Sequence, residues 1–184
     1  MTYAAHRRII DVDSHLIELD DFLHNAASPE HLDLVPSMLE QKGLPVVKAG
    51  LDRGRELFEK RQNDPSSMAK FEASLMDNTK NGWSRLGAFD PKERSHTIDL
   101  LGFEMQWVLP TFSFHQTLAA AKGEALEATS ITLNKAMANF CAHDDRLKAV
   151  GYLPLNLGPE TAKAIMDEGF SQGCYTFLLP TNEP

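Results

Sequence analysis

Cysteine is scarce, with Cys141 and Cys174 the only two in 184 residues and no Cys-x-x-Cys pair. That excludes a disulfide framework and makes a reduced, cytoplasmic protein the default. No apolar run approaches the length of a bilayer span, so no membrane association is expected. No apolar segment follows Arg7 and Arg8, so the N-terminus does not read as a signal peptide. Positive charge is in deficit: Lys and Arg total 18 against 26 Asp and Glu, giving a formal net charge of -8. Phosphate binding needs a basic face, so nucleic acid is not expected as a main partner. There is no glycine-rich phosphate loop, no Gly-x-Ser-x-Gly elbow and no reactive-cysteine signature.

What is present begins with Ile9-Ile10-Asp11-Val12-Asp13-Ser14-His15-Leu16-Ile17-Glu18, an apolar run ending in metal-capable side chains. If the run is a strand, Asp13 and His15 are two apart and share a side. A carboxylate and an imidazole converging in this way can hold a divalent metal. Asp11 is set aside as a ligand, on the expectation that it points away from Asp13. Glu18 could add a ligand, hold His15 from behind, or simply start the next helix, which is the plainest of the three.

The rest of the chain alternates strand and helix. Residues 36 to 65 are punctuated by Pro36, Gly43, Pro45, Gly50 and Gly54, with a charged helix from about Arg53 to Arg61. A helix from Ser66 to Lys80 would share one face among Met68, Phe71, Leu75 and Met76. Asp90-Pro91-Lys92-Glu93 starts another, with Asp90 as N-cap and Glu93 completing a capping-box variant, and Gly102 ends it. Strands are expected near 8–13, 105–110, 147–155 and 174–179, with a helical insertion over 20–103. Helices spanning Gly123 to Ala142 and starting at Gly158-Pro159 separate the later strands. Crossovers of this length imply a parallel sheet.

His115 follows the second strand and would stand on the rim with Asp13 and His15, within reach of a substrate, although a solvated loop histidine is the simpler reading. Arg85 and Arg94 could anchor an anion, but read more simply as surface charge.

These segments resemble the amidohydrolase-related family, a branch of the metal-dependent hydrolases that includes aminocarboxymuconate semialdehyde decarboxylase. The resemblance rests on Ile10 to Glu18, on Gly102-Phe103-Glu104-Met105-Gln106-Trp107-Val108-Leu109-Pro110-Thr111, on Asn134 to Cys141 with Asp144-Asp145-Arg146-Leu147, and on Val150-Gly151-Tyr152-Leu153-Pro154-Leu155. It covers most of the chain except about 25 to 80. It implies an α/β chain forming the N-terminal portion of a (β/α)8 TIM barrel, about four of its parallel strands, with a long helical insertion after the first. It implies one divalent metal, zinc or manganese, with Asp13 where the first histidine of a His-x-His pair usually stands and His15 where the second does. Further ligands and the general base are then expected beyond Pro184. The implied activity is a metal-dependent hydrolase or nonoxidative decarboxylase of a small carboxylated or carbonyl compound, from a chain whose own site is incomplete. The competing reading is a non-catalytic half-barrel that binds or pairs with a partner, including a second copy.

Overall fold

The computed structural model describes residues 2–37, 44–77, 82–120 and 122–180. Four strands, β1 (Ile10–His15), β2 (Met105–Leu109), β3 (Leu147–Tyr152) and β4 (Cys174–Leu178), form one sheet in sequence order, every neighbour parallel. The chain is thus α/β with an all-parallel sheet, as its alternation predicts. The first strand begins and ends two residues later than expected, because its ladder with β2 runs on to His15 and Leu109.

Between β1 and β2 lie α1 (Leu44–Asn63), α2 (Pro65–Ala73) and α3 (Pro91–Leu101). Gly43 lies outside the described residues, and helix α1 runs through Gly50 and Gly54, read as punctuation. Those glycines sit under aromatic rings: a Cβ at Gly54 would stand 2.5 Å from Phe89 Cζ, and one at Gly50 2.4 Å from Trp83. The expected helix to Lys80 stops at Ala73, and its last residues, from 78, lie outside the described residues. Helix α3 starts as foreseen, with Glu93 N–H donating to Asp90 Oδ1 at 2.8 Å, and Gly102 closes it. The Glu93 side chain does not complete a capping box. It is buried and receives both Nε and Nη2 of Arg61, at 2.5 and 2.7 Å, together with Gln62 Nε2 and Gly87 N–H. Arg61 is itself buried, lies against Phe58 and Phe71, and also donates to the carbonyls of Ser84 and Arg85.

Helices α4 (Ser113–Ala120) and α5 (Gly123–Cys141) join β2 to β3, and α6 (Pro159–Gln172) joins β3 to β4. The main core lies between the sheet and its helices. Leu133 and Met137 of α5 are fully buried there with Ile98 of α3 and Val108 of β2. Each such side chain contributes about 1.5–3 kcal/mol on leaving water. Among the described residues, no helix is long and apolar enough to cross a membrane.

Asn134 shows how the core also carries polar structure. Its side chain is fully buried, accepts from Tyr152 N–H at 2.7 Å and donates to Tyr152 C=O at 3.1 Å. Strand β2 pairs with β3 only as far as Ala149. The amide of Asn134 therefore supplies, past the end of that ladder, the donor and acceptor a neighbouring strand would have given.

Candidate metal centre

Asp13 and His15 come together at the carboxyl end of β1. His15 Nε2 stands 3.6 Å from Asp13 Oδ1, with both side chains open to solvent. The other ring nitrogen, Nδ1, lies 3.1 Å from Pro110 C=O and 3.1 Å from Thr111 Oγ1. A carbonyl only accepts, and the Thr111 hydroxyl already donates to Leu16 C=O at 2.6 Å. Nδ1 must therefore carry the proton of the neutral ring, which leaves the Nε2 lone pair facing the carboxylate. Histidines that bind metals through one nitrogen characteristically donate the other to a carbonyl or carboxylate. Two ligand atoms, each about 2.1 Å from one ion in tetrahedral geometry, stand about 3.4 Å apart. The pair fits part of a metal site. Among the described residues, no group of three or more His, Cys, Asp or Glu side chains converges to complete one.

Period-two alternation alone would put Asp11 on the same side as Asp13. A bulge prevents it. Asp11 pairs with Gln106 and Ser14 with Val108, so β1 spends one more residue than β2 over that interval. Asp13 N–H donates to Asp11 Oδ1 at 3.1 Å across the bulge, while Asp11 Oδ2 accepts from Gln106 Nε2 at 3.1 Å. Asp11 and Ser14 thus face the helices with Gln106 and Val108, and Asp13 and His15 face the other way. Asp11 does point away from Asp13, and the bulge is the reason.

Glu18 starts no helix. It is completely buried, and its carboxylate accepts from Thr111 N–H at 2.8 Å, Phe112 N–H at 3.0 Å, and both N–H and hydroxyl of Ser113. It caps α4, where the free N–H groups and helix dipole favour an anion. Because Thr111 also touches His15, Glu18 fixes the segment against which the imidazole rests. His115 is in the first turn of α4, not in a loop; it is exposed, its ring stacks edge-on with Phe114 at 5.6 Å, and it does not line the cavity around Asp13 and His15.

That cavity has a volume of about 750 Å³ and takes in side chains from both sides of β1. The helical insertion between β1 and β2 supplies one wall through Leu75, Met76, Trp83, Arg85 and Leu86. Arg85 is exposed and, among the described residues, its guanidinium forms no ion pair. Arg94, read from sequence as surface charge, is buried behind β1. Burial pushes its pKa down to about 10, against the pull of Cys141 and Asp11. A signal for this was present: once Asp90 fixes the start of α3, Arg94, Thr97, Ile98 and Leu101 fall on one helical face, and all are buried. Both cysteines are free and buried, and burial pushes each thiol up to about 12, so neither serves as a thiolate nucleophile.

No family model matches the chain, and no match is found among curated proteins or solved structures.

Proposed function

We propose that this chain is the front portion of a metal-dependent (β/α)8 barrel of the amidohydrolase-related type. It would act on a small carboxylated or carbonyl compound by hydrolysis or nonoxidative decarboxylation. The observation that carries the reading is His15 Nε2 standing 3.6 Å from Asp13 Oδ1, with Nδ1 against the carbonyl of Pro110. A divalent ion at that pair, zinc or manganese, would supply Lewis acidity toward a carbonyl or carboxylate oxygen. Pro110 and Thr111 keep the imidazole turned toward Asp13. Arg85 offers a cation to a substrate carboxylate, and Trp83 with Leu86 gives the wall an apolar lining that sheds water. The four parallel strands in sequence order support the barrel. The reading needs further ligands and a general base from strands that the resemblance puts after residue 184.

A second reading, a non-catalytic module that docks a partner, is favoured by the exposed Ile10, Val12, Tyr175 and Leu179 on the two outer strands and just past β4. One titration separates the two. Mn²⁺ added to the chain and to His15→Ala and Asp13→Ala variants, followed by electron paramagnetic resonance of the free ion, should show binding that each substitution weakens at least tenfold. Equal binding by all three proteins would sink the metal reading and leave the docking module.

A further inference from the structure

The bulge that separates Asp13 from Asp11 is gripped from behind by one side chain. Arg94 Nη1 donates to Ser14 Oγ at 2.6 Å, Nη2 to His15 C=O at 2.7 Å, and Nε to Gly87 C=O at 2.6 Å. Arg94 is 6% exposed, and among the described residues no carboxylate lies within ion-pair distance of its guanidinium. A buried cation without a paired anion is costly relative to water, so an apolar side chain would serve packing better. What the guanidinium supplies, and an apolar group could not, is a rigid fork of donors holding two successive residues of β1 at fixed spacing. Those two residues, Ser14 and His15, are the ones that follow Asp13.

The fork is itself held. Gly87 has φ +75°, and a Cβ there would stand 2.8 Å from Arg94 Cα, so only glycine brings the loop this close. Its N–H donates to Glu93, which receives Arg61, and its C=O receives Arg94. A continuous set of buried hydrogen bonds thus runs from α1 through Glu93, Gly87 and Arg94 to the backbone of His15. On the same side of β1, Asp11 takes Gln106 Nε2, while Gln106 Oε1 is buried without a partner among the described residues.

We propose that Arg94 is a positioning residue for the Asp13–His15 pair. It sets the direction of the His15 main chain, and so keeps Nδ1 on Pro110 and Nε2 toward Asp13. The proposal rests on the metal reading above. The group it would serve is a divalent cation, and Arg94 touches neither ligand side chain.

The test uses the 184-residue chain and Mn²⁺ alone, titrated into the millimolar range and followed by resonance of the free ion, on Arg94→Lys, Ser14→Ala and His15→Ala. Circular dichroism checks that each is folded at the working temperature. Arg94→Lys keeps the charge and loses the fork, and should weaken Mn²⁺ binding at least tenfold, in line with other partners that orient ligands. Ser14→Ala removes one of the three bonds, leaves the fold intact, and should weaken binding a few-fold. Long-range ¹H–¹⁵N spectra of the metal-free chain give a second readout. The parent should show the His15 ring protonated at Nδ1, and Arg94→Lys a mixture of the two tautomers. Loss of binding in His15→Ala with parent-like affinity in Arg94→Lys and Ser14→Ala would overturn the positioning role alone. Unchanged binding in His15→Ala would overturn the metal reading and the positioning role with it.

Discussion

Helices α1 and α5 are almost equal in length, 20 and 19 residues, and are held in opposite ways. Helix α5 presents a stripe of Leu126, Leu133, Met137 and Phe140 to the sheet, all buried. Among its described side chains, helix α1 buries little besides Leu51 and Gly54, and it is fastened near its last turn by Arg61. Apolar packing is non-directional and spreads over many contacts. The Arg61 fork is directional, and its hold passes through one guanidinium to Glu93 and the carbonyls of Ser84 and Arg85. The difference shows which changes each region tolerates: α5 should accept a change of shape, and α1 should accept almost none at its anchor.

The largest effect is expected at that anchor. Arg61→Met leaves Glu93 buried with its charge uncompensated, which costs about 3–5 kcal/mol. Arg61→Lys should recover little, because one ammonium cannot reach Glu93 and the carbonyls of Ser84 and Arg85 together. Replacing both partners, Arg61→Met with Glu93→Leu, should restore most of the loss, since an apolar pair of similar volume needs no compensation. Urea denaturation of the four proteins measures this. A single Arg61→Met costing under about 1 kcal/mol would show that the network is ornamental.

On α5 the expected order is reversed. Leu133→Ala opens a cavity beside Val108 and Met137 and should cost about 2–5 kcal/mol. Leu133→Met keeps the volume and should cost less than about 1.5 kcal/mol. If the conservative change on α5 proves as damaging as Arg61→Lys on α1, the contrast between the two regions fails.

The same contrast accounts for what the sequence disclosed. The four strands and α5 were legible because apolar spacing is a local signal. The start of α3 was legible because Asp90, Pro91 and Glu93 form a cap within four residues. Helix α4 was not, because its capping carboxylate is Glu18, more than ninety residues earlier. Gly50 and Gly54 looked like breaks because the rings of Trp83 and Phe89 that need them are distant in sequence. Asp13 and His15 were legible as a pair, since two-residue spacing survives at the end of β1. The bulge that turns Asp11 away, the grip of Arg94 and the role of Glu18 depend on partners from other elements, which spacing cannot announce.

The smallest effect is expected at a partly exposed joint just after α5. Arg146, just before β3, donates to Asp144 at 2.6 Å and to Asp99 of α3 at 2.7 Å. The hydrogen bonds from Arg146 hold the Asp144 carboxyl well below the usual carboxylate range. A carboxyl whose pKa is depressed on folding contributes stability that is fully present above its unfolded value, about 3.9, and lost as pH falls toward the folded one. The contribution should therefore be intact at pH 6 and fade below about pH 4. Arg146 is partly exposed, so the joint is worth about 1 kcal/mol or less. Melting temperatures of the parent and Asp144→Asn at pH 6 and pH 3 give the comparison. The parent should lose more on acidification, because the variant has no depressed carboxyl to protonate there. An equal drop in both would mean that the joint carries no pH-dependent stability. It would also mean that the acid sensitivity of the chain lies elsewhere.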